Sequence, residues 1–179
     1  MNIQQSNPFT LAFGKHPNEY ISRISQMNEI VDIFLNNPPT HQVVMITGVR
    51  GSGKTVMLND LSKRLREEPD WITIELNPNT DIMHDLVAKL YDAKTMHDIF
   101  LAAKFNFSIL GIGMEVTNQP PTANSIETAI THMLQKLKDH NKKLLITIDE
   151  VVNNEKIRIF SSTFQIFIRE DFPVFLAMT

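Results

Sequence analysis

The sequence predicts an α/β fold of three layers, with helices on both faces of a central, mostly parallel sheet, and three observations predict it. Apolar runs of strand length alternate along the chain with segments of helical period. The first such run, Val43-Val44-Met45-Ile46-Thr47, passes directly into Gly48-Val49-Arg50-Gly51-Ser52-Gly53-Lys54-Thr55, a Gly-x-x-x-x-Gly-Lys-Thr spacing with a helical pattern behind it. A later run, Leu144-Leu145-Ile146-Thr147-Ile148, is almost unbroken and ends in Asp149-Glu150, the pattern of a strand buried on both faces.

Taken in order, Ile24, Met27, Val31 and Phe34 recur at helical spacing, Ile30 and Leu35 widen the stripe, and Asn36-Asn37-Pro38-Pro39 breaks it. Residues 1–40 therefore read as an N-terminal linker and helix, and 41–179 as the core of a single domain. Strand 43–47 precedes a helix starting near Ser52, with Leu58, Leu61 and Leu65 on one face and Pro69 past its end. Ile72 to Leu76 alternates apolar and polar residues, which predicts a strand with one wet face at the sheet edge. Thr80 or Asp81 caps the next helix, which carries Ile82, Met83, Leu86, Val87 and Leu90, and a weaker helical stretch runs to about Ala103.

The period changes to two over 105–117, where Phe105, Phe107 and Ile109, then Ile112, Met114 and Val116, alternate with small or polar residues. This predicts an inserted β-hairpin turning near Leu110-Gly111. Pro120-Pro121 ends it, and Asn124 or Ser125 caps a helix bearing Ile126, Ala129, Ile130, Met133, Leu134 and Leu137. Beyond Asp149-Glu150, a helix with Ile157, Phe160, Phe164, Phe167 and Ile168 leads to a last buried strand that ends at Met178 and Thr179.

The chemistry concentrates at two places. A glycine-rich loop brings consecutive backbone N–H groups close around a phosphate, and Gly48, Gly51 and Gly53 supply the freedom. Lys54 aims an ammonium at the β- and γ-phosphates, Thr55 offers a hydroxyl to Mg²⁺, and the helix start adds its dipole. Val49, Arg50, Ser52 and Val56 complete the nucleotide-binding stretch. Asp149 is placed to hold Mg²⁺ and Glu150 to polarise a water for attack on the γ-phosphate. Thr179, at the tip of a strand between those two, is expected to sense the γ-phosphate. Arg50 lies inside the loop and is a poor transition-state finger, while Arg158 and Arg169 decorate a helix surface.

Composition narrows the classes. At 179 residues the chain buries roughly 70% of its extended surface as one domain. It has no cysteine, which excludes a disulfide scaffold or thiolate metal site, and its net charge of −3 gives no global field for nucleic acid. No apolar run approaches the ~20 residues of a membrane span and no signal peptide is visible, so a cytoplasmic location without membrane attachment is expected. The six histidines show no ligand spacing. Asn141-Lys142-Lys143 lacks the aspartate of a guanine-reading motif, which favours adenine, and Lys63, Arg64 and Arg66 read as a solvated helix face.

These residues resemble the P-loop NTPases of the additional-strand, catalytic-glutamate group, with Gly48 to Thr55 as Walker A and Asp149-Glu150 as Walker B. More narrowly, with Tyr20-Ile21-Ser22-Arg23 at the start and a polar strand tip at Thr179, the chain is similar to AAA-type ATPase modules of the archaeal-ATPase and STAND-like families, akin to origin-recognition ATPases. Ser22 and Ile24 stand where such modules usually carry glycine and an acidic residue. The resemblance implies binding of ATP with Mg²⁺, hydrolysis to ADP, and a strand order of phosphate-loop strand, Thr179 strand, Asp-Glu strand, then the alternating edge strand. It also implies a fifth strand, a completing arginine and a helical lid that this sequence lacks, so the chain is expected to be a fragment incomplete at its C-terminus. Self-association through the module is then expected, with nucleic acid or protein partners read by the missing region. Two alternatives stand beside the hydrolase: an ATP-dependent regulatory switch with slow or no turnover, and a P-loop kinase.

Overall fold

The computed structural model describes residues 24–102 and 123–179. The expected hairpin at 105–117, the Tyr20 to Arg23 segment and Pro120-Pro121 lie outside the described residues.

Helix α1 (Ile24–Leu35) is followed by strand β1 (Val43–Met45), α2 (Lys54–Glu67), β2 (Trp71–Leu76), α3 (Ile82–Asp92) and α4 (Lys94–Ala102), and then by α5 (Ala123–Asp139), β3 (Lys143–Ile148), α6 (Glu155–Arg169) and β4 (Val174–Met178). The strands form one sheet of order β1-β4-β3-β2 in which every pairing is parallel. This is the predicted α/β architecture and the strand order expected from the resemblance, with the alternating strand β2 at one edge.

The continuous apolar run of β3 is explained by two cores, because successive side chains point to opposite faces of a sheet. Leu144, Ile146 and Ile148 join Ile72, Ile74, Leu76, Val174 and Leu176 in a core closed by α3, α5 and α6. Leu145, Phe175 and Ala177 face the other side, where α1 and α2 contribute Met27, Phe34, Leu58, Leu61 and Leu65. Phe34, fully buried, lies against Phe175 at 5.2 Å and Trp71 at 6.4 Å between ring centroids, and Trp71 and Phe175 lie 4.7 Å apart. That cluster fastens α1 to β2 and β4, two strands distant from it in sequence.

Two helices stop without glycine. Asn141 and Asp171 adopt left-handed backbone, with φ of 53° and 58°. In each case the next residue's N–H reaches back five positions, Lys142 to the Leu137 carbonyl at 2.8 Å and Phe172 to the Phe167 carbonyl at 3.1 Å. Asn141 donates to the Lys138 carbonyl and Asp171 to that of Ile168, completing the paired bonds of a Schellman stop. Each stop turns the chain straight into a central strand, α5 into β3 and α6 into β4.

Some boundaries differ from the sequence expectation. Strand β1 ends at Met45 rather than Thr47: the Ile46 N–H still donates to Met178 O at 2.8 Å, but Thr47 is exposed as the chain leaves the sheet. Helix α2 begins at Lys54 rather than near Ser52, because Gly53 before it is left-handed at φ 82°. Helix α5 begins at Ala123, so Asn124 and Ser125 lie in its first turn rather than before it. Of the two caps offered for α3, Asp81 takes the role, its carboxylate accepting the His84 N–H at 3.3 Å.

Among the described residues strand β1 has one hydrogen-bonded neighbour, and its outward residues Val43 and Met45 are 41% and 58% exposed. Gln42, just before it, accepts the Leu176 N–H on its carbonyl and donates its side-chain amide to the carbonyls of Phe172 and Val174 at 3.1 and 2.9 Å. The side chain thereby extends the grip of β1 on β4 beyond the strand. No described helix is long and apolar enough to cross a membrane.

Candidate functional site

The register puts the ends of three strands level: Met45 pairs with Met178, and Ile148 with the same residue. The loop after β1, the Asp149-Glu150 pair after β3 and Thr179 after β4 therefore emerge together at the carboxyl edge of a parallel sheet, where open α/β sheets bind ligands. Asn141-Lys142-Lys143, by contrast, lies where α5 passes into β3, at the opposite end of the strand from Asp149.

In the loop, Gly51 and Gly53 have φ of 80° and 82°, a conformation glycine adopts without a Cβ penalty. The Ser52 N–H donates to Val49 O at 3.2 Å, closing a tight turn. Lys54 folds back so that Nζ donates to the carbonyls of Gly48 at 3.1 Å and Val49 at 3.2 Å. The loop is thus coiled around its own ammonium. Among the described residues no carboxylate pairs with Lys54, and its acceptors are neutral.

Helix α2 opens at Gly53 with no side-chain cap and no acidic residue in its first turn. Its first bond is Met57 N–H to Gly53 O at 3.0 Å, so the N–H groups of the residues before Met57 have no partner within the helix. Beneath them the Ser52 hydroxyl oxygen is buried without a hydrogen-bond partner. An uncapped helix start, an ammonium held only by neutral carbonyls and an orphaned hydroxyl form a donor-rich cradle for an anion. Val49, Arg50 and Thr55 of this stretch are exposed and Val56 is half-buried.

On the facing strands, Thr179 and Asp149 meet directly. The Thr179 hydroxyl donates a hydrogen bond to Asp149 Oδ1. The Glu150 N–H donates at 3.0 Å to both Asp149 Oδ1 and the Thr179 hydroxyl oxygen. Thr179 is itself fixed from both sides, its N–H donating to Ile148 O at 3.1 Å and its carbonyl accepting the Val151 N–H at 2.9 Å. Glu150 is left-handed at φ 52°, with its carboxylate exposed. Among the described residues no hydrogen bond joins this group to the loop 48–56.

The residues fit a magnesium nucleotide. Mg²⁺ prefers oxygen ligands and takes much of its shell from water and phosphate. The Thr55 hydroxyl and the Asp149 carboxylate are such donors, and among the described residues no cluster of His, Cys, Asp and Glu would cage a metal unaided.

Other sequence candidates play structural parts. Arg64 bonds Asp60 and Asn28, and Arg66 bonds the Thr73 hydroxyl, so both tie α2 to its neighbours. Arg158 and Arg169 are exposed on α6, away from the loop in sequence and facing solvent as expected. Sequence reasoning missed a brace behind Glu150: Asn154 caps α6 by accepting the Ile157 N–H at 2.8 Å, and its amide donates to Pro78 O at 3.2 Å. Lys156 adds a bond to Asn79 O at 2.9 Å. An asparagine three residues before the first apolar position of a helix is a recognisable cap signal.

A family model described as an ATPase domain predominantly from Archaea matches residues 20–168. A comparison with curated proteins found no match.

Proposed function

The chain belongs to this family of ATPase domains, predominantly from Archaea, and from that premise we propose that it binds ATP with Mg²⁺ and hydrolyses it to ADP and phosphate. The observation that carries the reading is the Lys54 ammonium, held inside a coil of Gly48 and Val49 carbonyls above an uncapped helix start, on the same sheet edge as Asp149 and Glu150.

In this reading the backbone N–H groups of the loop from Gly48 to Val56 bind the phosphates. Lys54 leaves its carbonyl partners for the β- and γ-phosphates, exchanging neutral acceptors for charged ones, and hydrogen bonds to charged groups are the stronger kind. Thr55 and Asp149 hold the metal, which when bound neutralises charge that develops on the phosphate oxygens. Glu150, exposed at the edge of the cradle, orients a water and takes up its proton as the water attacks phosphorus. Thr179 stands at the γ-phosphate end of the group. The position of Asn141-Lys142-Lys143 at the far end of β3 supports a base pocket built from other residues, in keeping with adenine rather than guanine.

Calorimetric titration with Mg·ATP and Mg·GTP, on the chain and on Lys54→Ala, tests binding. ATP is expected to bind, GTP more weakly, and Lys54→Ala not measurably. Phosphate release then tests chemistry: Glu150→Gln should keep ATP affinity and lose turnover by about 10²-fold or more. ATP affinity unchanged in Lys54→Ala would refute the site, and undiminished turnover in Glu150→Gln would refute its base.

A further inference from the structure

We infer that Thr179 is a positioning residue for Asp149, orienting that carboxylate for the metal and holding Glu150 in place with the same hydroxyl. The inference rests on the reading of Asp149 as a metal-holding group and goes beyond contact between Thr179 and phosphate.

The geometry is economical. A lone aspartate at a strand end turns broadly about its terminal torsion. Here Oδ1 accepts two donors, the Thr179 hydroxyl and the Glu150 N–H, and two bonds on one oxygen fix the plane of the carboxylate. Among the described residues no hydrogen bond engages Oδ2, so one oxygen is anchored and the other is left for a ligand. The anchor is itself rigid. Threonine is stiff at χ1, and both backbone groups of Thr179 are bonded, to Ile148 O and from Val151 N–H.

The same hydroxyl accepts the Glu150 N–H. Glu150 occupies left-handed backbone, which is costly for a residue with a Cβ. Its two N–H bonds, both to members of this pair, help offset that cost. One hydroxyl therefore sets the direction of the metal-facing carboxylate and the backbone from which the neighbouring carboxylate projects. Serine would preserve both bonds, while valine has the shape of threonine and neither bond.

The test measures ATP affinity of the full chain in excess chelator and then across rising Mg²⁺. In Thr179→Val, the Mg²⁺ needed for half of its effect on affinity should rise about tenfold, the usual scale for partners of a metal ligand, and the loss of affinity should be several-fold larger with Mg²⁺ than without it. Thr179→Ser should restore the parent Mg²⁺ requirement. Amide exchange at Glu150 should quicken in the valine variant and not in the serine one. An unchanged Mg²⁺ requirement in Thr179→Val, or an equal loss of affinity with and without Mg²⁺, would overturn the inference. Should valine disrupt the strand end, Thr179→Ala is judged by the same outcomes. Asp149→Asn separates the two levels: loss of the Mg²⁺ effect there, with Thr179→Val like the parent, overturns the positioning role alone, whereas retention of the effect overturns the reading of Asp149 and the role together.

Discussion

Gly48 and Ser52 face each other across the phosphate loop so closely that a methyl group on Gly48 would lie 2.8 Å from the Ser52 hydroxyl oxygen. The crowding at this position comes from a side-chain neighbour rather than from the glycine's own backbone, whereas Gly51 and Gly53, with open space around them, are required by positive φ. The Ser52 oxygen is buried, so it must find room elsewhere in the loop to yield to that methyl group, although it breaks no hydrogen bond in turning. Gly48→Ala should reshape the loop and weaken ATP binding about tenfold, as overpacking of 1–3 kcal/mol implies. Adding Ser52→Ala removes the offending oxygen, since the Ser52 Cβ lies at an ordinary 3.6 Å. A double-mutant cycle on ATP affinity checks the pair, and strictly additive losses would contradict it.

The aromatic cluster gives a prediction about stability alone. Phe34 is fully buried between Trp71 and Phe175. Truncation to alanine should cost about 3–5 kcal/mol, read as a lower midpoint in urea with the slope preserved. A loss under about 1 kcal/mol would mean that α1 detaches readily from the sheet.

Asp171 offers a gain. Its left-handed backbone carries a penalty that glycine avoids, and its side chain gives up only an ion pair to Lys138 at 3.6 Å, almost wholly in water. The Lys138 bond to the Asp171 carbonyl survives the change. Asp171→Gly should raise stability by about 0.5 kcal/mol, a small net figure because glycine also frees the unfolded chain. Calorimetry of thermal unfolding decides the sign.

At Asp81 the expected signature is one of pH. Burial pushes this carboxyl up, but the His84 backbone N–H and the imidazole 2.8 Å away outweigh it and hold the group below its ordinary value of 3.8. A carboxyl depressed in the folded state adds stability that is present above the unfolded value and is lost as pH falls through the folded one. Asp81→Ala should therefore cost about 1 kcal/mol near neutrality, as the loss of a helix cap. The gap between the two proteins should narrow below about pH 4. A gap of constant size across that range would argue against the ionised cap.

How much of this was legible in the sequence depends on whether the signal was local. The β3 run announced a doubly covered strand because every residue from Leu144 to Ile148 is buried, and the glycine spacing announced the loop. The end of β1 is blurred in the sequence because Thr47 continues the strand-like composition after the last bond to β4, that of the Ile46 N–H. Both Schellman stops are faint in the sequence because Asn141 and Asp171 adopt a conformation that composition only weakly favours. The Thr179 to Asp149 bond was also hidden. It arises from the register of β3 against β4, and no run of residues in either strand encodes that register by itself.

The two sides of the candidate site hang from unequal supports. Asp149 follows β3, which is bonded along its length to strands on both sides, whereas the phosphate loop follows β1, three residues long and bonded, among the described residues, to β4 alone. The arrangement is that of tweezers with one anchored arm and one compliant arm. A displacement of β1 would carry the lysine of the loop with it and would reach the carboxylates only through β4, whose bonds join the two sides.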